Sequence, residues 1–497
     1  MAAPVFALSA QAKPAAPAAA PAAAAPVADA CPIDLLQPTG LAVANLQRPK
    51  LANVKSADDA NKVMKDVSKL LFDPKQATNP MGRDMLLAQF VTFYAQFADS
   101  AKRGDVGFPG DKMQYVDMLK MADSLFTIIE TAEPKCKMQT LGWRNYKPYT
   151  DRVKAGYAAV GAGAADTAEK LANRALVINR FGPQPYDILW RAAEIRKDEA
   201  AQISNLQRAA DALAGDTLNA VVRSNFLFTL GRKDQEFGEG KTDKAAKDKL
   251  YRDAVVPYTV VLKEFPMSDE APYAMQGISI SANVVGDTSI SNAAVAIVKA
   301  NMDKYTDQTL AQAGVLSTAA GKTADAILFF GAAAKANPYF RDYLYNEAAM
   351  MYEAKQTTEM IPIVHKLIEM DPSNPDDVML FTYAFTGLQG GTKDPAVKKW
   401  AIDSVMYWGK VAEAMPYKLS FTDFERQTNR TLLVGTVENR GKDAKAFTID
   451  FEFIGKDGSV VQKQSVSVAS VAPGASGAFK VDLPIGGVYG VRYAPLK

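Results

Sequence analysis

Few side chains in this sequence stand at the spacings that chemistry requires. One histidine occurs in 497 residues, His365, so hydrolytic triads and His-rich zinc sites have almost nothing to be built from. His365 lies in an apolar helical pattern, Pro362–Met370, beside Lys366, and reads as a partly exposed helix residue. Gly240-Lys241-Thr242 and Gly321-Lys322-Thr323 share the end of a phosphate-cradling loop. The first glycine of that loop is missing from both, its places being taken by Gln235 and Leu316; both triplets fit turns between helices. Gly161-Ala162-Gly163 lacks a third glycine and a preceding strand, so it makes no dinucleotide site. Asp376-Asp377 follow Asn374-Pro375 at the start of a helix, where carboxylates meet the positive end of the helix dipole. No catalytic residue, cofactor or metal site is expected, and the chain reads as non-enzymatic.

Cys31 and Cys136 are the only cysteines. Their spacing is not that of a metal or redox pair. A disulfide would close a loop of about 100 residues; the alternative is two unpaired thiols. The disulfide is preferred, because the count is even and the N-terminus resembles an export signal. Met1–Ala12 is short and apolar and ends in Ala10-Gln11-Ala12, the small-x-small pattern read by signal peptidases. Residues 1–12 are therefore taken as the remnant of a secretory signal and 13–31 as an Ala/Pro-rich linker. The expected location is the periplasm or another part of the cell envelope.

The bulk composition narrows the classes further. Hydrophobic residues make up 48% and charged residues 23%, as in an ordinary globular protein. Lys and Arg (57) nearly balance Asp and Glu (55), too even a ratio for generic nucleic-acid binding. No run of about 18 strongly apolar residues exists, so no transmembrane segment is expected. The length calls for more than one domain.

Helical periodicity dominates residues 32–416. Asp84–Phe97 is apolar on more than one face and predicts a buried helix; Tyr115–Ala132, Ala165–Ile178, Asp187–Arg196, Leu250–Phe265 and Pro272–Val285 predict further helices. Gly231–Lys249 mixes both charge signs with Gly238 and Gly240, and reads as a long solvated loop. Two segments repeat each other: ADAILFFGAAAKANP ends at Pro338 and TEMIPIVHKLIEMDP at Pro372, 34 residues on. Pro416 follows 44 residues later, one period plus an insertion assigned to Gly387–Asp394. A 34-residue period is that of a helix–turn–helix solenoid.

On those residues the chain resembles tetratricopeptide (TPR) repeats. Leu310, Gly314, Ala326, Phe330 and Ala333 fall on the family's small and large packing positions, as do Leu344, Ala348 and Met351 in the next unit. Met360 and Leu367 depart from the pattern, replacing small alanines. The resemblance is clearest over residues 250–416. It implies a concave groove lined by the first helix of each pair, with Asp342, Tyr345, Ala349, Tyr352 and Glu353 at groove-facing offsets, and a protein or peptide partner held by apolar contact plus charge.

Beyond residue 417 the period becomes two. Phe447, Ile449, Phe451 and Phe453 alternate with polar residues, as do Phe479, Val481 and Leu483, with turns at Asn439-Arg440-Gly441, Asp457-Gly458 and Pro473-Gly474. Six or seven short strands predict an antiparallel β-sandwich. Gly435, Val437, Asn439, Asp457-Gly458 and Pro473-Gly474…Phe479 are similar to the FxLYD-type sandwich module of bacterial envelope proteins, with Ile454-Gly455 in place of its usual Tyr-Asp. The expected fold is multidomain: an all-α TPR-like solenoid, then a small antiparallel Ig-like β-sandwich over 417–497. The expected role is an envelope scaffold for protein–protein interaction. Two alternatives are a self-assembling structural component and a protein associated with peptidoglycan or carbohydrate.

Overall fold

The structure, a computed structural model, describes residues 31–496. The signal remnant at 1–12 and the linker, apart from Cys31, lie outside the described residues. The chain divides into two compact units between Ile188 and Leu189, and each is described by itself.

The first unit contains α1 (Thr39–Asn45), α2 (Ala57–Leu71), α3 (Pro80–Tyr94), β1 (Ser100–Lys102), α4 (Arg103–Val106), β2 (Tyr115–Asp117), α5 (Met118–Ala132), α6 (Lys137–Arg144), α7 (Lys147–Gly161) and α8 (Ala165–Ile178). Apolar residues on every side of α3 leave it no solvent face, and Met85–Tyr94 is buried throughout. Asn79 caps it and Pro80 opens it, where a missing N–H costs nothing. Cys31 and Cys136 are joined in a disulfide, tying the segment before α1 to the turn between α5 and α6. Arg144 is fully enclosed. Asp123 and Glu130 neutralise it at 2.5 and 2.8 Å, it donates to the Ile178 carbonyl, and its guanidinium lies 5.3 Å from the centre of the Phe126 ring.

The second unit continues with α9 (Pro183–Ile195), in which the division falls, then α10 (Glu199–Ala212), α11 (Ala220–Glu239), α12 (Lys244–Glu264), α13 (Ala271–Val285), α14 (Thr288–Lys299), α15 (Asp307–Ala319), α16 (Thr323–Ala336), α17 (Arg341–Glu353), α18 (Thr357–Met370), α19 (Pro375–Gly391) and α20 (Pro395–Ala414). These are antiparallel pairs stacked as a TPR-like solenoid. The period is visible in the starts of α15, α17 and α19. It is also visible in the turns inside each pair, where Gly286, Gly321 and Lys355 take φ of 73°, 68° and 61°. Lys355 holds the left-handed conformation that glycine takes in the two preceding pairs, as does Lys197 (φ 56°) between α9 and α10. Asn337 ends α16 in extended conformation and Asp371 ends α18 at φ −126°, ψ 67°, both outside the helical region that a following proline disfavours. Within the α15–α16 pair, Gly314 admits the Phe330 ring so closely that a Cβ would stand 2.8 Å from it; Ala326 and Ala333 are fully buried. Met360 and Leu367 are fully buried as well, so the next pair accommodates the larger side chains.

Two expected loops are helical instead. Gly231–Lys249 belongs mostly to α11 and α12, which run 20 and 21 residues against 13 and 14 in α15 and α16. Its glycines are packing positions rather than breaks. Gly231 faces the Tyr258 ring and Gly238, seven residues on, faces Tyr251, with a hypothetical Cβ at 2.7 and 2.9 Å. Apart from Lys233 and Asp234, which are buried, its charges sit mainly on the outer helix surface, with i,i+4 pairs such as Lys244–Asp248 and Lys249–Asp253, both at 2.6 Å. Likewise α19 continues through Gly387 to Gly391, where Gly387 lets the helix approach Thr357; the extra residues lengthen α19 and α20.

The strands are β3 (Tyr417–Arg426), β4 (Thr431–Asn439), β5 (Lys445–Gly455), β6 (Val460–Val471), β7 (Ser476–Leu483) and β8 (Val488–Tyr493). They form two antiparallel sheets, ordered β3-β4-β7 and β6-β5-β8. Phe447, Ile449, Phe451, Phe453, Phe479, Val481 and Leu483 fill the space between.

The sandwich is built onto the solenoid through β3, which runs along the row of turns that join one pair to the next. Lys418 binds Asp376 at 2.6 Å, and the Leu419 amide donates to the Ser373 carbonyl. Arg341 lies 4.7 Å from the Phe421 ring centre, Phe424 stacks on Phe340 at 5.5 Å, and Arg426 pairs with Asp307 at 2.6 Å. Thr428, just past the strand, reaches Asp269. About three strand residues, at roughly 3.3 Å each, advance one helix pair; that step equals the roughly 8–10 Å spacing of packed helices. A straight strand can therefore touch successive repeats in register.

Candidate partner-binding surface

The first helices of the last two pairs carry the surface that the sequence nominates. On α17, Tyr345 and Tyr352 are two turns apart and both half-exposed. Asp342 is partly exposed on the same helix and Glu353 is exposed at its C-terminal end. Ala349, between the tyrosines, is partly buried. The structure adds Tyr383 from α19, whose ring lies 5.3 Å from that of Tyr352. Tyr383 stands 34 residues after Ala349, and Asp376 stands 34 after Asp342. Carrying the groove offsets forward by one period is the signal that finds both.

Glu353, Tyr352, Lys355, Thr357, Gly387 and Thr392 line a cleft of about 890 Å³ at the C-terminal end of α17. At the other end, Asp376, Met379, Gly409, Glu413 and Lys418 line a second cleft of about 510 Å³. The strand β3 thus supplies one wall, which no reading of the solenoid alone would include.

The charges of this surface are largely paired among themselves, and its tyrosines are the apolar part. Asp342 lies 3.0 Å from the Arg341 guanidinium and Asp376 lies 2.6 Å from Lys418, which leaves Glu353 and Lys355, of opposite sign, at the C-terminal end of α17. Partial burial raises the Tyr345 hydroxyl pKa, with Asp377 and Asp376 adding to the effect, so the tyrosine stays a neutral hydrogen-bond donor. Asp377 is 1% exposed, and its Oδ2 has no hydrogen-bond partner. Burial pushes its carboxyl up to about 7; Asp342 and Asp376 add to this, while Arg341 and Lys418 oppose it. Aromatic faces with acidic neighbours can hold an extended segment by ring contact and charge.

Other chemistry-bearing residues lie elsewhere. His365 is exposed on α18, 3.2 Å from Glu369. Gly321 occupies the left-handed turn between α15 and α16, and Lys241-Thr242 lie between α11 and α12. Among the described residues, no group of three His, Cys, Asp or Glu is placed to hold a metal. No described helix is long and apolar enough to cross a membrane.

No family model matches the chain, and no curated protein matches it. Solved structures do match. A thermophilic TPR protein of Thermus thermophilus is 15% identical, over 41% of this chain and 98% of its own, with a TM-score of 0.24. A tetratricopeptide repeat protein of Parabacteroides merdae is 15% identical over 52% and 98%, with a TM-score of 0.24. The TPR2AB domain of yeast Sti1, in a complex with pHSP90, is 11% identical over 53% and 98%, with a TM-score of 0.18. At TM-scores this low, the repeat character of the chain rests on its own 34-residue register and paired helices, and it is TPR-like in that sense.

Proposed function

We propose that this chain is a non-enzymatic scaffold of the bacterial cell envelope that binds an extended segment of a partner protein across α17 and α19. One observation carries the reading: Tyr345, Tyr352 and Tyr383, from successive first helices, form a half-exposed aromatic stripe flanked by Asp342, Glu353 and Asp376. The guest that fits is an extended polypeptide whose apolar side chains meet the tyrosine faces. Export is supported by the small-x-small ending at Ala12 and by the Cys31–Cys136 disulfide, which suits an oxidising compartment. The sandwich, similar to FxLYD-type modules, acts as an accessory domain that supplies the wall at β3.

A photo-crosslinking residue at Thr358, which is exposed and lines the same cleft, tests the reading in the native host. A discrete partner is expected, and Tyr352→Ala with Tyr383→Ala should lower its recovery at least tenfold without altering the melting curve. Unchanged recovery would remove this surface from consideration. A second reading is self-association, favoured by the last helix: α20 exposes Trp400 (52%), Met406 (59%) and Tyr407 (60%), where a terminal repeat ordinarily turns a polar face outward. That reading predicts crosslinks between copies of this chain from a photo-crosslinking residue at Met406, and no other protein captured from the one at Thr358.

A further inference from the structure

The enlarged hairpin of α11 and α12 creates a second concavity, outside the surface just described. A cleft of about 580 Å³ lies between this hairpin and α10, within the size range of small-ligand sites. Ala200 and Ile203 from α10, Phe237 from α11 and Leu250 from α12 give it an apolar lining. Asp234 of α11 also lines it, although that residue is only 4% exposed.

The neighbouring charges do not satisfy Asp234. On α12, Lys249 binds Asp253 at 2.6 Å. Lys241, at the end of α11, binds Glu199 of α10 at 2.6 Å. Arg208 of α10 is exposed and donates to the Asn205 side chain at 3.0 Å. No described residue donates a hydrogen bond to the Asp234 carboxyl. With no donor from the chain, the Asp234 carboxyl is left to solvent or to a ligand in the cleft for its hydrogen bonds.

We propose that this cleft binds an organic cation, an ammonium or guanidinium group on a short apolar body, with Asp234 as its counter-ion. The apolar body packs on Ile203, Phe237 and Leu250, and the cationic N–H groups donate to Asp234. Burial first, then the charge of Asp253, raise the Asp234 carboxyl to about 7, with Lys249 opposing. The other charged groups around the cleft, Glu199, Lys241 and Arg208, are as described above. An ammonium of pKa near 10 is charged throughout, so affinity follows ionisation of Asp234 and rises with pH between about 5.5 and 8.

Calorimetric titration of the full chain with 4-phenylbutylamine, against 4-phenylbutanol as neutral control, tests the site. At pH 8 the amine is expected to bind one-to-one, at least tenfold more tightly than the alcohol, and to lose most of that preference at pH 5.5. Asp234→Asn should abolish the preference while leaving the melting temperature equal or higher. Ile203→Trp, which fills the cleft and spares Asp234, should weaken both probes. A capped Ala-Lys-Ala peptide distinguishes the sources of the cation: competition with the amine assigns the site to a lysine of a polypeptide, and its absence to a free amine. Equal binding of amine and alcohol, binding of neither, or a preference surviving in Asp234→Asn would overturn the proposal. None of these outcomes depends on the tyrosine stripe.

Discussion

Asp376 and Asp377 are adjacent in sequence and opposite in circumstance. Asp376 is exposed and paired with Lys418, while Asp377 is buried with one oxygen unpartnered. The helix-dipole argument accounts for having carboxylates here but not for burying one of them. Because burial raises the folded pKa of Asp377 to about 7, above its unfolded value, the folded state favours the protonated form. Its contribution to stability is fully present below about pH 4 and is lost as pH rises through about 7. Asp234 and Glu347, also raised to about 7 chiefly by burial, act in the same direction. Asp377→Asn should therefore match the parent near pH 4 and exceed it at pH 8 by up to about 4 kcal/mol, as read from urea unfolding at the two pH values. A constant difference across that range would contradict the assignment.

At the scale of elements, the helix pairs depend on small residues facing large ones. Ala326 has no exposed surface in the layer where Phe330 meets Gly314. Ala326→Trp should overpack that layer and cost about 1–3 kcal/mol or more. Ser467 is exposed on β6 opposite Thr448, and Ser467→Trp should change the denaturation midpoint little. Comparable losses at both positions would be inconsistent with the faces assigned to them. The α11–α12 hairpin obeys the same small-against-large rule in a form that misleads sequence reading: glycines at 231 and 238 resemble breaks until Tyr258 and Tyr251 are seen opposite them.

At the scale of the molecule, the sandwich and the later repeats form one structural unit. Arg426 is its central tie: Asp307 accepts hydrogen bonds from Arg426, Asn337 and Tyr343, and the guanidinium lies 4.9 Å from the Phe340 ring centre. Arg426→Ala would leave Asp307 enclosed without its counter-ion, at a cost of about 3–5 kcal/mol. Hydrogen exchange should then quicken in β3 and in the starts of α15 and α17 together; loss confined to β3 would show that the strand is not coupled to the repeats. In the first unit the disulfide closes a loop across 105 residues, worth up to about 4–5 kcal/mol by restricting the unfolded chain. Replacing both cysteines by serine should lower the denaturant midpoint reported by α1 and α6 amides.

The repeat, the helix ends at Pro338 and Pro372, the alternation of Phe447 to Phe453 and the exposure of Tyr345 and Tyr352 on α17 were legible because each rests on local periodicity or on backbone chemistry within a few residues. Tyr383 was legible too, once the 34-residue period was applied to the next pair. What local pattern could not contain was long-range. Glycine is a break in one context and a packing surface in another, and only the facing tyrosines decide which. Whether Asp377 or Asp234 is solvated depends on side chains from other helices. The placement of β3 depends on a spacing match between a strand and a helix stack, neither of which carries the other's period. Sequence therefore determined which faces of this chain are apolar and at what interval; tertiary structure decided which of its charges lost their water, because desolvation is a property of neighbours rather than of residues.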